Sequence, residues 1–88
     1  MEAISKRARD WREFSHVVLN HIEKYTVPQY GDAPEDQVEQ WSVADCALAI
    51  RKYVARIRTN VRDGQDELDC LKIAHYAQLM RDKLSREK

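Results

Sequence analysis

The chain has 88 residues, which gives room for a single domain with one hydrophobic core. Its 15 Lys and Arg residues balance its 15 Asp and Glu residues, so no net charge draws the protein to nucleic acid or to an anionic membrane. Seven charged residues among the first 20 leave no room for the apolar region of a signal peptide, so we expect none. No apolar run reaches membrane-spanning length. Two cysteines are too few for a disulfide scaffold. We therefore expect a cytoplasmic protein.

The first predicted helix covers residues 3–24. Its apolar residues recur at steps of three and four and form one stripe: Trp11, Phe14, Val18, Ile22 and Tyr25. Val27-Pro28 should end this helix, because the residue before a proline avoids helical geometry.

An acidic loop is predicted over residues 26–41. Gly31 should supply the positive φ of a turn, and Pro34 should open a short helical turn that runs to Glu39. From Tyr25 to Ile50 the chain carries five acids and no Lys or Arg.

The second predicted helix covers residues 43–61. Ser42 and Asp45 have the spacing of a capping box, with the shorter Asp in place of Glu. The apolar period that follows is the strongest in the chain and comprises Val43, Cys46, Ala47, Ile50, Tyr53, Val54, Ile57 and Val61.

The third predicted helix covers residues 65–85 and follows a break at Gly64. A connection this short makes the second and third helices an antiparallel hairpin. The third helix has a broad apolar arc, formed by Leu68, Leu71, Ile73, Ala74, Ala77, Met80 and Leu84, which is wider than one neighbouring helix can cover. The fold class predicted is all-α, with three main helices that assemble as a dimeric helical bundle.

Opposite charges meet at the Gly64 end of this hairpin. Five bases and no acid lie between Arg51 and Arg62, and four acids lie between Asp63 and Asp69. The antiparallel register brings Asp69 within reach of Arg56 or Arg58, so mutual neutralisation is one interpretation. The other is a functional site, because Asp66 and Asp69 share a helix face and can hold a divalent cation such as Mg²⁺ through oxygen.

Three segments resemble the small all-helical domains called nucleotide-modification-associated, which are akin to the MazG-like nucleotide pyrophosphatases. The segments are Tyr30-Gly31-Asp32, the stretch from Ile50 to Arg56, and the stretch from Glu67 to Ala77. The resemblance implies that Lys52 and Arg56 contact phosphate, that Tyr30 lines the pocket, and that Asp66 and Asp69 face a metal.

The sequence departs from the MazG-like pattern in one respect. Those enzymes carry two glutamates one turn apart on the helix before the Asp-bearing one, whereas Asp45 is the only acid on that helix here. Glu35 and Glu39 have the spacing but precede Ser42. The resemblance therefore leaves open whether the protein is an enzyme.

Two functions compete on these grounds. One is a MazG-like domain that binds a phosphorylated nucleotide with a divalent cation. The other is a non-catalytic helical module, of phage or mobile-element origin, that forms a homodimer or docks a protein partner. Nucleic-acid binding through Arg51, Arg58 and Arg62 is disfavoured by the zero net charge.

Overall fold

The structure, a computed structural model, describes residues 3–32 and 40–87. Regular secondary structure in these ranges is entirely helical, which confirms the all-α class. The elements are α1 (Lys6–His21), a π-helical turn (Ile22–Thr26), α2 (Val27–Tyr30), α3 (Val43–Arg56) and α4 (Gln65–Arg86). None of the described helices combines the length and the apolar character that crossing a membrane would require. The predicted helical turn from Pro34 to Glu39 lies outside the described residues.

The chain divides into two compact units, one within residues 1–31 and one within residues 32–88. The first unit contains α1, the π-helical turn and α2, and the second contains α3 and α4. The residues predicted to hold metal, Asp66 and Asp69, belong to the second unit, as do Lys52 and Arg56, whereas Tyr30 belongs to the first.

The prediction that Val27-Pro28 ends the first helix is wrong, because helical geometry continues to Tyr30. A proline inside an α-helix has no N–H to donate, and its ring collides with the carbonyl four residues earlier. The chain avoids this collision by widening one turn: the Val27 N–H donates to the Ile22 carbonyl, five residues back. The helical segment ends at Gly31, whose φ of 86° confirms the predicted positive value.

The predicted capping box at the start of α3 is confirmed. The Asp45 backbone N–H donates to Ser42 Oγ at 3.1 Å, and the Ser42 backbone N–H donates to Asp45 Oδ2 at 2.9 Å. The Ser42 hydroxyl also donates to Asp45 Oδ2, at 3.0 Å, and the bonds from the Ser42 N–H and hydroxyl lower the pKa of Asp45. Both orphan donors at the helix start are thereby satisfied.

The predicted end of this helix at Val61 is wrong, because α3 ends at Arg56. Ile57 is extended, with ψ of 135°, and Arg58 has a positive φ of 74°. Val61 is 101% exposed and does not extend the apolar face. The Arg58 N–H donates a hydrogen bond to Asp66 on α4. This tertiary contact turns the backbone out of the helix, although the apolar period of the sequence continues to Val61.

The helices α3 and α4 contact each other and run antiparallel. Arg56 at the end of α3 contacts Asp69 near the start of α4, and Tyr53, one turn earlier in α3, contacts Tyr76, farther along α4. Gly64, with φ of 78°, immediately precedes α4, which begins at Gln65 as predicted. This confirms the hairpin around Gly64. Cys46 is fully buried, and burial raises the pKa of its thiol.

Candidate functional site

A buried carboxylate, Asp69, organises the closed end of the hairpin. Arg56 holds it through two parallel bonds, Nε to Oδ2 at 2.8 Å and Nη2 to Oδ1 at 2.7 Å. Gln65 Nε2 donates to Oδ1 at 2.8 Å and Asn60 Nδ2 donates to Oδ2 at 3.0 Å. We call Arg56, Asn60, Gln65 and Asp69 the Asp69 cluster.

The environment of Asp69 favours its ionised form strongly. The Asp69 side chain has no exposed surface, so the cost of removing the charge from water is offset only by its donors. The Arg56 guanidinium, with Gln65 and Asn60, holds the pKa of Asp69 well below its ordinary value despite burial. The hydrogen bonds that Arg56 donates to Asp69 raise the pKa of Arg56. The predicted pairing of Asp69 with Arg56 is therefore confirmed.

Asp66 holds the connection between the two helices. Its Oδ1 accepts from Asn60 Nδ2 at 2.7 Å, and its Oδ2 accepts from the backbone N–H of Arg58 at 3.1 Å. Asn60 therefore donates to both Asp66 and Asp69. Arg58, predicted as an alternative ion-pair residue, contributes its backbone N–H to this arrangement.

These bonds bear directly on whether the two acids can hold a metal. An ionised carboxylate offers about four acceptor positions, and Asp69 accepts four hydrogen bonds from protein donors. A cation at Asp69 would have to displace some of these donors. Within residues 3–32 and 40–87, no group of three or more His, Cys, Asp or Glu side chains could hold a metal ion. Mg²⁺ binding by Asp66 and Asp69 stays a prediction.

Two of the three residues predicted to form a phosphate-binding pocket meet at one aromatic ring. Lys52 Nζ lies 5.6 Å and Arg56 Cζ lies 4.9 Å from the centroid of the Tyr53 ring. Tyr30, the third, lies in the other unit, where its hydroxyl accepts from Gln29 Nε2 at 3.1 Å. The grouping of Lys52 with Arg56 follows from their four-residue spacing on α3.

Lys72 completes this arrangement, although no motif in the sequence pointed to it. Its Nζ lies 5.2 Å from the Tyr53 ring centroid, so three cations surround one ring at distances typical of cation–π contacts. The antiparallel register could have found it, since Lys72 on α4 lies level with the end of α3. We call Lys52, Tyr53, Arg56 and Lys72 the Tyr53 cluster.

Aromatic stacking fixes the position of the Tyr53 ring. Tyr53 stacks on Tyr76 with centroids 5.8 Å apart and planes within 9°, and Tyr76 stacks on Trp41 at 5.4 Å and 16°. A ring held between two helices in this way gives the lysine side chains a fixed surface to lie against. Trp41 precedes α3, and no helical period pointed to it.

Comparisons with known proteins found no matching family model, no matching curated protein and no matching solved structure. The resemblance to MazG-like domains stays a hypothesis based on short segments.

Proposed function

We propose that the protein is a non-catalytic helical interaction module that associates with a second copy of itself through exposed apolar side chains. One observation carries this proposal. Cys46 is the one fully buried apolar side chain among the described residues, whereas ten large apolar side chains are exposed: Ile4, Trp11, Val17, Leu19, Tyr25, Tyr30, Leu48, Val54, Val61 and Leu84. Removing apolar surface from water stabilises an assembly by about 25 cal/mol per Å².

The stripe on the first helical segment is the surface we assign to self-association. Trp11 and Tyr25 are each 62% exposed, and Trp11 packs against Phe14 with ring centroids 5.6 Å apart. Large aromatic side chains supply much of the binding free energy at protein interfaces, because they bury a large area with few rotatable bonds. The residues of the stripe lie on one face of a helix and cannot shield one another from water. We propose that a second copy of the chain covers this face.

The acids of the hairpin support a non-catalytic role. Asp45 caps α3, Asp66 holds the connecting loop, and Asp69 is saturated by protein donors. Each of these carboxylates has a structural task that accounts for its position. The raised pKa of the Cys46 thiol also opposes a nucleophilic role for that residue, since the thiolate is the reactive form.

Sedimentation velocity tests this proposal. The wild-type protein should sediment as a dimer at micromolar concentration. Trp11→Glu, which places a charge on the apolar stripe, should shift the protein to monomer. Asn20→Glu adds the same charge at an exposed polar position of α1 and should leave the dimer intact. A wild-type protein that stays monomeric up to millimolar concentration would refute self-association.

Binding of a phosphorylated nucleotide with Mg²⁺ is the second candidate function. The observation that favours it is that Lys52 and Arg56 both lie against the Tyr53 ring. The resemblance to MazG-like domains implies that these two residues contact phosphate. Amide signals of residues 52–56 and 66–69 should shift when magnesium and a nucleoside triphosphate are added. Unmoved signals at millimolar ligand would leave the Asp69 cluster as a purely structural ion pair.

A further inference from the structure

The Tyr53 cluster contains three cations, and the described residues pair only Arg56 with an acid. Arg56 is paired with Asp69, but the described residues give Lys52 and Lys72 no ion pair. The only acid on α3 is Asp45, which caps the start of the helix. Two ammonium groups therefore face one aromatic ring on the hairpin, and no carboxylate within residues 3–32 and 40–87 pairs with either of them.

An apolar side chain lies beside these cations. Leu48 is 64% exposed and precedes Lys52 by four residues, so the two side chains share one face of α3, one turn apart. A surface that combines an exposed leucine with lysines held against a tyrosine is suited to a ligand with both acidic and apolar groups.

We propose that Leu48, Lys52, Tyr53 and Lys72 form a docking surface for an acidic, leucine-containing segment of a partner protein. This inference rests on the proposed interaction role and names the chemistry of a partner for it. Carboxylates of the segment would pair with Lys52 and Lys72, and its leucine would cover Leu48. The Tyr53 ring keeps both ammonium groups on this surface, which reduces the conformational entropy lost on binding.

The position of the surface favours a protein segment over a phosphate group. Protein sites for phosphate commonly use the backbone N–H groups of a helix N-terminus or a tight loop. Lys52 and Lys72 lie in the interiors of α3 and α4, where the backbone N–H groups are used within the helix. A phosphate would also leave Leu48 uncovered, whereas a peptide side chain would bury it.

Fluorescence polarisation with a labelled synthetic peptide tests the proposal. The probe is a glutamate-rich peptide with one central leucine, and its matched control has glutamine in place of every glutamate. Lys72→Gln and Lys52→Gln should each weaken binding of the glutamate peptide by about fivefold, the upper range for an exposed ion pair. Lys24→Gln removes the same charge at an exposed position outside the hairpin and should leave binding unchanged.

The apolar part of the surface has its own matched pair. Leu48→Ala should weaken peptide binding, whereas Val61→Ala, at another exposed apolar position, should not. Three outcomes would each overturn the proposal. The first is that the glutamine peptide binds as tightly as the glutamate peptide, and the second is that Lys24→Gln and Lys72→Gln weaken binding equally. The third is that sodium phosphate displaces the peptide at matched ionic strength.

Self-association and peptide docking can fail separately. Trp11→Glu is expected to abolish the dimer and to leave peptide binding intact, since Trp11 is not part of the docking surface. A wild-type dimer that does not bind the peptide would overturn the docking surface alone. A monomer that binds the peptide would overturn self-association alone.

Discussion

Asp69 is the residue on which the closed end of the hairpin depends most. Its carboxylate has no exposed surface and accepts four hydrogen bonds from Arg56, Asn60 and Gln65. A buried charge costs several kcal/mol to desolvate, so its donors are necessary rather than incidental. The antiparallel register predicted from the sequence placed Asp69 within reach of Arg56 or Arg58. It did not identify the two amide donors: Asn60 reaches Asp69 from the connecting loop, and Gln65 lies one turn before Asp69 on α4.

We expect Arg56→Ala to lower the free energy of unfolding by about 3–5 kcal/mol, because it leaves the Asp69 carboxylate buried without its cation. Asp69→Ala should cost less, because the Arg56 side chain is 34% exposed and can be solvated. The double variant should lose less than the sum of the single losses. Urea unfolding followed by circular dichroism gives these values. Additive losses in the double-mutant cycle would mean that Arg56 and Asp69 stabilise the fold independently.

The low pKa of Asp69 predicts a stability that depends on acid pH. A carboxyl whose pKa is lower in the folded than in the unfolded protein contributes stability above its ordinary value, 3.8 here, and loses that contribution as the pH falls towards its folded pKa. The free energy of unfolding should therefore decrease as the pH falls below 3.8.

Asp69→Asn removes this titration and serves as the control. Its free energy of unfolding should be lower than that of the wild type at neutral pH and should change less on acidification. Urea unfolding at several pH values measures both slopes. Parallel slopes for the two proteins would assign the acid sensitivity to other carboxylates, of which Asp45 also has a lowered pKa.

At the scale of the elements, a local sequence signal determines where one helix begins, and a tertiary contact determines where it ends. The start of α3 is set by the Ser42–Asp45 capping box, which a sequence can reveal because its residues are three apart. Its end is set by Asp66, which accepts the Arg58 N–H across the hairpin. The first helical segment accommodates Pro28 by means of a π-helical turn just before it, Ile22–Thr26. The residue types around the proline do not predict this turn.

Gly64 offers a test at this scale. Its φ of 78° is unfavourable for residues with a Cβ, although an added Cβ would meet nothing closer than Glu67 Oε2 at 3.9 Å. Gly64→Ala should therefore cost about 1–2 kcal/mol of stability through backbone strain alone. Gly64→Asn should cost less, because asparagine tolerates this conformation. Thermal unfolding of both variants measures the difference, and equal losses would point to a cause other than backbone conformation.

For the whole molecule, burial within the described residues is slight for a chain with 43% hydrophobic residues. Chains of this length bury a smaller share of their surface than larger domains and are correspondingly less stable alone. The exposed side chains of α1, α3 and α4 are the surface that an assembly would remove from water.

Linked folding and association predict a stability that depends on concentration. If only folded chains form the dimer, the unfolding temperature should rise with protein concentration. Differential scanning calorimetry from micromolar to millimolar concentration measures this rise. Trp11→Glu should show an unfolding temperature that does not change with concentration, and the same constancy in the wild type would argue against association.

The sequence by itself determined the all-α class, the hairpin around Gly64 and the α3 capping box, and it placed Asp69 within reach of Arg56 or Arg58. These follow from helical periodicity, from residues three or four apart and from an antiparallel register that a short connection imposes. Only the tertiary structure decided where α3 ends, that Asn60 donates to Asp69, that Lys72 lies against the Tyr53 ring and that Trp41 stacks on Tyr76. The reason is that these features depend on side chains far apart in sequence, whose hydrogen bonds and ring contacts exist only when α3 and α4 are packed together.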